Sequence, residues 1–363
     1  VSLDLERPEP RLLVLVGSGG VGKTTLAAAL AAASAQRGRD TLVMTFDPSL
    51  RLKDALGVGE EARRRETRVE LAAPARLEAS LLDARVTFDR LVERYAPAAA
   101  ARDRILGNRF YQHLAGHLGG ILEYMAVERL FEAAREERWQ RVVLDTPPTR
   151  QALDFLAAPQ RIVGFLDSGA LRVALRPWFD ERGRLRPAAR LGPLGRRAER
   201  YLDELVGLGL LRDMAEFFQA FAPLFAGFRE RALEVQALLR APETLFLLVA
   251  GPGEERVADT LFFARRLLAE GYRLGPLLVN RVHPRFPPPA AQRSAGRQLE
   301  GVRLFRWLGE RDHLGLAHLR SLVGESQGVL EVPLLAREPA SLQAVARLGE
   351  QLAESLAALR HGA

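Results

Sequence analysis

Gly17-Ser18-Gly19-Gly20-Val21-Gly22-Lys23-Thr24-Thr25 is the stretch that decides the fold. It follows an apolar run, Leu12-Leu13-Val14-Leu15-Val16, and opens an Ala/Leu segment that ends near Gly38. Strand, glycine-rich turn, helix is the context a phosphate-binding loop requires. Glycines let successive backbone N–H groups turn inward around phosphate oxygens, where a Cβ would obstruct the approach. The new helix points its positive end at the same place. In that frame Lys23 reaches β- and γ-phosphate oxygens, the Thr24 hydroxyl ligates Mg²⁺ and Thr25 lies near the α-phosphate. The backbone of Gly17, Gly19, Gly20, Val21 and Gly22 forms the cradle. The motif implies a nucleoside-triphosphate site.

Two strand ends downstream complete it. Thr41-Leu42-Val43-Met44-Thr45-Phe46 reads as a buried strand that delivers Asp47-Pro48-Ser49 at its carboxyl end, where ligands gather in open α/β sheets. A carboxylate there can hold or polarise an attacking water. Arg141-Val142-Val143-Leu144-Asp145 is a further strand ending in an acidic residue, suited to hold Mg²⁺ through its water shell. The turn after it, Thr146-Pro147-Pro148-Thr149, suits a loop that senses the γ-phosphate.

Composition sets the outer bounds. The 363 residues allow one large domain or two closely joined ones, and 48% hydrophobic content supports a substantial core. No apolar run approaches the ~20 residues of a membrane span. No segment has the pattern of a secretory signal, so a cytoplasmic location is the expectation. The chain has no cysteine, which excludes disulfides, thiolate metal sites and cysteine catalysis. The formal charge is +7, yet only Lys23 and Lys53 are lysines. Arginines scattered among glutamates read as coding bias, and no nucleic-acid partner is expected.

Residues 50–138 read as mostly helical, with Leu81, Val86, Phe88, Leu91 and Tyr95 at helical intervals. His113 and His117 stand four apart, but without a carboxylate in register they read as packing rather than a metal site. Arg176–Arg197 is rich in Gly, Pro and Arg and reads as a surface connector. Tyr201–Leu211 and Asp213–Leu239 are helical patterns. The second carries an aromatic stripe, Phe217, Phe218, Phe221, Leu224, Phe225 and Phe228, read as internal packing ahead of a client-binding surface. The α/β pattern then resumes: Thr244–Ala250 is a strand, Arg256–Glu270 a helix, and Gly275–Arg281 a strand carrying Asn280, whose amide can serve an adenine edge. Pro287-Pro288-Pro289 begins a flexible excursion. Val329–Leu335 is the last strand, and the helix Leu342–Leu359 closes the chain.

The loop, Asp47-Pro48 and Asp145-Thr146-Pro147-Pro148-Thr149 together resemble the ArsA-type ATPases, the arsenite-pump and tail-anchored-protein-targeting enzymes. Leu82–Asp89, Glu123–Ala126 and Ala152–Leu156 resemble a bacterial subgroup of that family, and the likeness runs from residue 11 to about 358. It implies an α/β fold of the deviant-Walker P-loop class: a mostly parallel sheet with helices on both faces and an α-helical insertion subdomain. The ATPase domain is expected over residues 11–158 and 243–360, with a helical segment at about 76–138, and the insertion over 159–242. The resemblance further implies Mg-dependent ATP hydrolysis by a dimer that opens and closes, with Lys23 and Asp47 catalytic and Thr24 and Asp145 on the metal side. Asn280 and Pro333 are expected near the base. A homodimer or a heterodimer with a paralogue, and a protein or hydrophobic client, are the implied partners.

Departures from the family pattern qualify this picture. Relatives carry a second lysine at the position of Ser18, which reaches the partner's phosphates; Arg150 or Arg51 could substitute. Without cysteines there is no zinc clasp and no arsenite site. The alternative reading is an ATP-clamped assembly module with little hydrolysis, working with a paralogue.

Overall fold

The structure is a computed structural model that describes residues 3–46, 51–112, 121–167, 213, 216–217, 220–286, 297–323 and 328–361. Its frame is an eight-stranded sheet: β1 (Leu12–Gly17), β2 (Thr41–Thr45), β3 (Thr67–Arg68), β4 (Leu77–Leu81), β5 (Arg141–Asp145), β6 (Thr244–Ala250), β7 (Leu277–Val282) and β8 (Val329–Pro333). The order is β3-β4-β2-β5-β1-β6-β7-β8. All neighbours run parallel except the short edge pair β3/β4. β1, β2, β5 and β6 are buried along their whole length, as strands covered on both faces must be. This is the α/β architecture of a P-loop NTPase.

Register places the site. Leu15 lies opposite Asp145, and Thr45 lies opposite the same aspartate from the other side. The carboxyl ends of β1, β2 and β5 therefore converge where the glycine loop begins.

Helix α1 (Lys23–Gln36) leaves that loop and is buried from Leu26 to Ala35. Alanine favours the helix and lets its neighbours come close. The helix Leu342–His361 does so at Gly349, where an added Cβ would lie 2.3 Å from the Ala29 carbonyl oxygen. Gly38, with φ +77, ends α1, and its successor Arg39 donates its backbone N–H back to the Ser34 carbonyl at 3.1 Å.

One expectation is corrected here. Leu81 belongs to strand β4, not to a helical stripe, and β3 and β4 lie inside the stretch read as mostly helical. Leu77-Glu78-Ala79-Ser80-Leu81 has no β-branched residue, and its strand form comes from pairing with β2. The helix begins later, at Ala84, capped by Asp83, whose carboxylate accepts the N–H groups of Arg85 and Val86 at 3.0 and 3.1 Å. A second difference is a 27-residue helix, Arg297–Val323, after the excursion. The excursion's Pro287–Pro289, the connector Arg176–Arg197 and the pattern Tyr201–Leu211 lie outside the described residues.

The chain divides into two compact units. One comprises residues 1–82, 130–153 and 238–363 and holds the whole sheet. The other comprises residues 83–129 and 154–237. Its core is aromatic: Phe88 stacks on Tyr111 and Phe221, Phe217 on Tyr111 and Phe221, and Phe221 packs on Phe228 at 4.9 Å between ring centroids. Phe217, Phe221, Leu224 and Phe228 are buried, so these members of the stripe are packing. Beside them Glu128, fully buried, pairs with Arg231 at 2.6 Å and accepts the Tyr124 hydroxyl at 2.8 Å. Burial first, then the Glu128 charge, raises the Tyr124 pKa.

Candidate functional site

The loop between β1 and α1 is built by glycines with positive φ. Gly17 (φ +152) must be bare because a Cβ would meet the Val249 carbonyl oxygen at 2.1 Å. Gly22 (φ +89) caps α1 in the left-handed region. Lys23 is buried, and its ammonium donates to the carbonyls of Gly17 and Ser18, both at 3.0 Å. The lysine thus braces the loop from within, at the place where phosphate oxygens would offer stronger, charged acceptors.

At the foot of the loop the Thr24 hydroxyl donates to Asp145 at 2.7 Å, and Thr45 donates to the same carboxylate oxygen at 2.9 Å. Asp145 is fully buried. The donor set is hard oxygen, a hydroxyl beside a carboxylate, and fits Mg²⁺ in chemistry. Thr146 turns back, its hydroxyl donating to the Leu15 carbonyl at 2.7 Å, which ties the β5 turn to the strand under the loop.

A cavity of about 760 Å³ opens from this point. Gly19, Gly20, Gly22, Lys23, Thr24 and Thr25 form its phosphate end. Asn280 and Pro333 line it too, with Leu334, Leu335 and Pro339 nearby. Its size is that of a small-molecule or cofactor site, roughly 300–1,000 Å³. The structure therefore brings together Gly19, Gly20, Gly22, Lys23, Thr24, Thr25, Asn280 and Pro333. Val21 is buried with its carbonyl accepting the Asn280 amide at 2.8 Å. Asp47 lies outside the described residues, as do the side chains of Arg51 and Arg150 and the pair His113 and His117.

Three side chains at the site escaped the sequence reading. Arg281 follows Asn280 at a bulge in β7 and has φ +64, rare for a residue with a side chain. Its guanidinium donates to the Gly20 carbonyl at 3.2 Å and to Glu338 at 2.8 Å. Nothing in the string Val279-Asn280-Arg281 announces that backbone. Thr45 could have been noticed, since it is a hydroxyl at the end of an apolar strand. Arg256, on the turn after β6, reaches the Ser18 hydroxyl with Nη1 at 3.4 Å.

Comparison with known proteins gives a consistent result. The model of the anion-transporting ATPases (ArsA) matches residues 10–182. An uncharacterised protein of Streptomyces coelicolor is 30% identical over 314 residues, covering 85% of this chain and 72% of its own. The ATPase GET3 of Malassezia globosa is 25% identical over 339 residues, covering 93% and 88%. A putative arsenical pump-driving ATPase of Aquifex aeolicus is 29% identical over 154 residues, which are 41% of this chain and 38% of the relative.

Proposed function

The chain belongs to the anion-transporting (ArsA-type) ATPase family and is a P-loop ATPase, and from that premise we propose that it is a Mg-dependent switch whose dimer closes on ATP and opens after hydrolysis. The observation that carries this reading is the pairing at the loop: an ammonium held inside a glycine cradle, with Thr24 on Asp145 at its foot.

Roles follow from position. Backbone N–H groups from Gly19 to Thr25 cradle the phosphates. Lys23 exchanges two neutral carbonyls for β- and γ-phosphate oxygens, and Thr25 meets the α-phosphate. Thr24 and Asp145 would hold Mg²⁺, the latter through water, and the ion would supply charge neutralisation to the phosphates. Asp47 orients the attacking water. Asn280 spends one amide hydrogen on Val21 and accepts the Arg281 N–H at 2.9 Å, which leaves a second N–H hydrogen for a purine edge. Pro333 borders the same end of the cavity.

In this proposal residues 11–158 and 243–360 form the ATPase domain, and the insertion over 159–242 handles a protein or hydrophobic client. The buried phenylalanines Phe217, Phe221 and Phe228 would then support the client surface rather than form it. Ser18, uncharged beside the cradle, supports a second reading, a nucleotide-clamped module that hydrolyses little and pairs with a paralogue. Phosphate release and oligomeric state, each measured with ATP with and without Mg²⁺, test the two. Mg-dependent turnover with nucleotide-dependent dimerisation is expected. A tight ATP-bound assembly without turnover would favour the second reading, and no ATP binding would overturn both.

A further inference from the structure

At the end of β7 the backbone of Arg281 is held at φ +64. A residue with a side chain keeps such an angle only where its surroundings over-determine it. Asn280 lies opposite Val332 and Val282 opposite Pro333, with a shift of register between them, so Arg281 is the extra residue of a bulge. A bulge re-aims the side chain beside it, and here that neighbour is Asn280. On the loop side Asn280 is tied to the Val21 carbonyl at 2.8 Å. On the other side the Val282 carbonyl accepts the Leu334 N–H at 2.9 Å, and the chain then meets a helix.

That helix, Arg297–Val323, turns Gly309 and Asp312 toward the segment leaving β7; the two stand one turn apart, on one face. Asp312 is fully buried, and its Oδ2 takes two bonds from His283: the backbone N–H at 3.1 Å and ring Nδ1 at 2.7 Å. The Arg311 guanidinium donates to the other oxygen at 3.1 Å. With a carboxylate oxygen as acceptor, the ring hydrogen sits on Nδ1. Breaking such a buried pair strands polar groups away from water, which makes it a firm anchor. Gly309 is bare where Pro284 passes, since a Cβ there would lie 2.5 Å from the Pro284 carbonyl oxygen. The chain is therefore fixed at the third and fourth residues past Asn280. Neither His283 nor Asp312 lines the cavity, so their influence on a ligand runs through the strand end.

We infer that the His283–Asp312 pair serves base recognition: it holds the Arg281 bulge so that the second amide hydrogen of Asn280 is presented to the purine edge. This rests on the reading of Asn280 as the purine contact. His283 and Asp312 are then positioning residues. They govern the share of affinity that comes from the base and leave the phosphate end as it is.

The test titrates the full chain with Mg-ATP and with Mg-tripolyphosphate, which keeps the phosphates and lacks the base. His283, partly exposed, is the residue to vary, because removing the buried Asp312 would strand its donors and endanger the fold. His283→Ala should weaken ATP binding by about threefold to tenfold and change tripolyphosphate binding by less than about twofold. His283→Gln, which keeps bulk but misplaces the donor, gives the same comparison if His283→Ala does not fold. His283→Asn, whose amide returns a donor near the Nδ1 position, should recover most of the ATP affinity. In an Asn280→Ala background His283→Ala should cost nothing further, since two residues acting through one contact are not additive. Unchanged ATP affinity in His283→Ala overturns the inference alone. So does a loss shared equally by both ligands, a loss that adds in full to that of Asn280→Ala, or no recovery in His283→Asn. Unchanged ATP affinity in Asn280→Ala overturns it together with the purine reading.

Discussion

The side-chain amide of Asn280 fills the space that a side chain on Gly22 would need: an added Cβ would lie 2.3 Å from Asn280 Nδ2. The same nitrogen donates to the Val21 carbonyl at 2.8 Å. The end of β7 and the phosphate loop are therefore fitted to each other before any ligand arrives. Gly22→Ala should suffer twice, from the left-handed backbone at about 1–2 kcal/mol and from displacement of Asn280. Nucleotide affinity should fall at least about tenfold, a loss of about 1.4 kcal/mol. Measured against Asn280→Ala alone, which already lacks the proposed purine contact, the double variant should show the backbone share only. Titration with a fluorescent ATP analogue separates the two; a Gly22→Ala chain with wild-type affinity would show that the fit is incidental.

Lys23→Ala should abolish ATP binding, because Lys23 is the loop's own cation and its brace. The same titration reads this directly. Unchanged affinity would remove the P-loop assignment of function.

The two carboxylates should separate kinetically. Asp47→Asn keeps the shape and should leave ATP affinity near wild type while slowing single-turnover hydrolysis. Asp145→Asn should instead raise the Mg²⁺ concentration needed for half-maximal turnover, since Asp145 anchors Thr24 and Thr45 through one carboxylate oxygen. Mg²⁺ titration after chelation checks it. Identical Mg²⁺ curves for Asp145→Asn and wild type would limit Asp145 to a structural role.

Phe221→Ala should lower stability by about 3–5 kcal/mol, as for other buried phenylalanines whose cavity cannot fully collapse. Phe221 contacts the rings of Phe88, Phe217 and Phe228, so its loss opens space on three sides. Urea unfolding gives the value; a near-zero change in midpoint would mean that the ring is not part of a core.

The sheet was legible wherever a strand was buried on both faces. Leu12–Val16, Thr41–Thr45, Val142–Leu144 and Thr244–Ala250 are continuous apolar or β-branched runs, and each lies in a strand. β4 was not legible, since Leu77–Leu81 owes its state to β2 rather than to its own residues. Grouping of Phe88 and Tyr111 with Phe217, Phe221 and Phe228 depends on ring contacts across more than a hundred positions, which no helical period records. In the site, the loop announced itself because its glycines and lysine are fixed in spacing. Arg281 and Arg256 did not, because one depends on a backbone angle and the other on where the turn after β6 ends up.

Gly349 has a consequence for how the site can move. With Gly349 of the closing helix set against the Ala29 carbonyl and Ala33 Cβ, α1 has no room to move toward that helix without a backbone collision. The helix behind the phosphate loop is thus backed, as by an anvil, on the side away from the nucleotide cavity. A change driven by the γ-phosphate would start instead at the β5 turn, Thr146-Pro147-Pro148, by exchanging the Thr146 bond to the Leu15 carbonyl. A bulkier residue at position 349 would meet the Ala29 carbonyl and press α1 toward the empty loop.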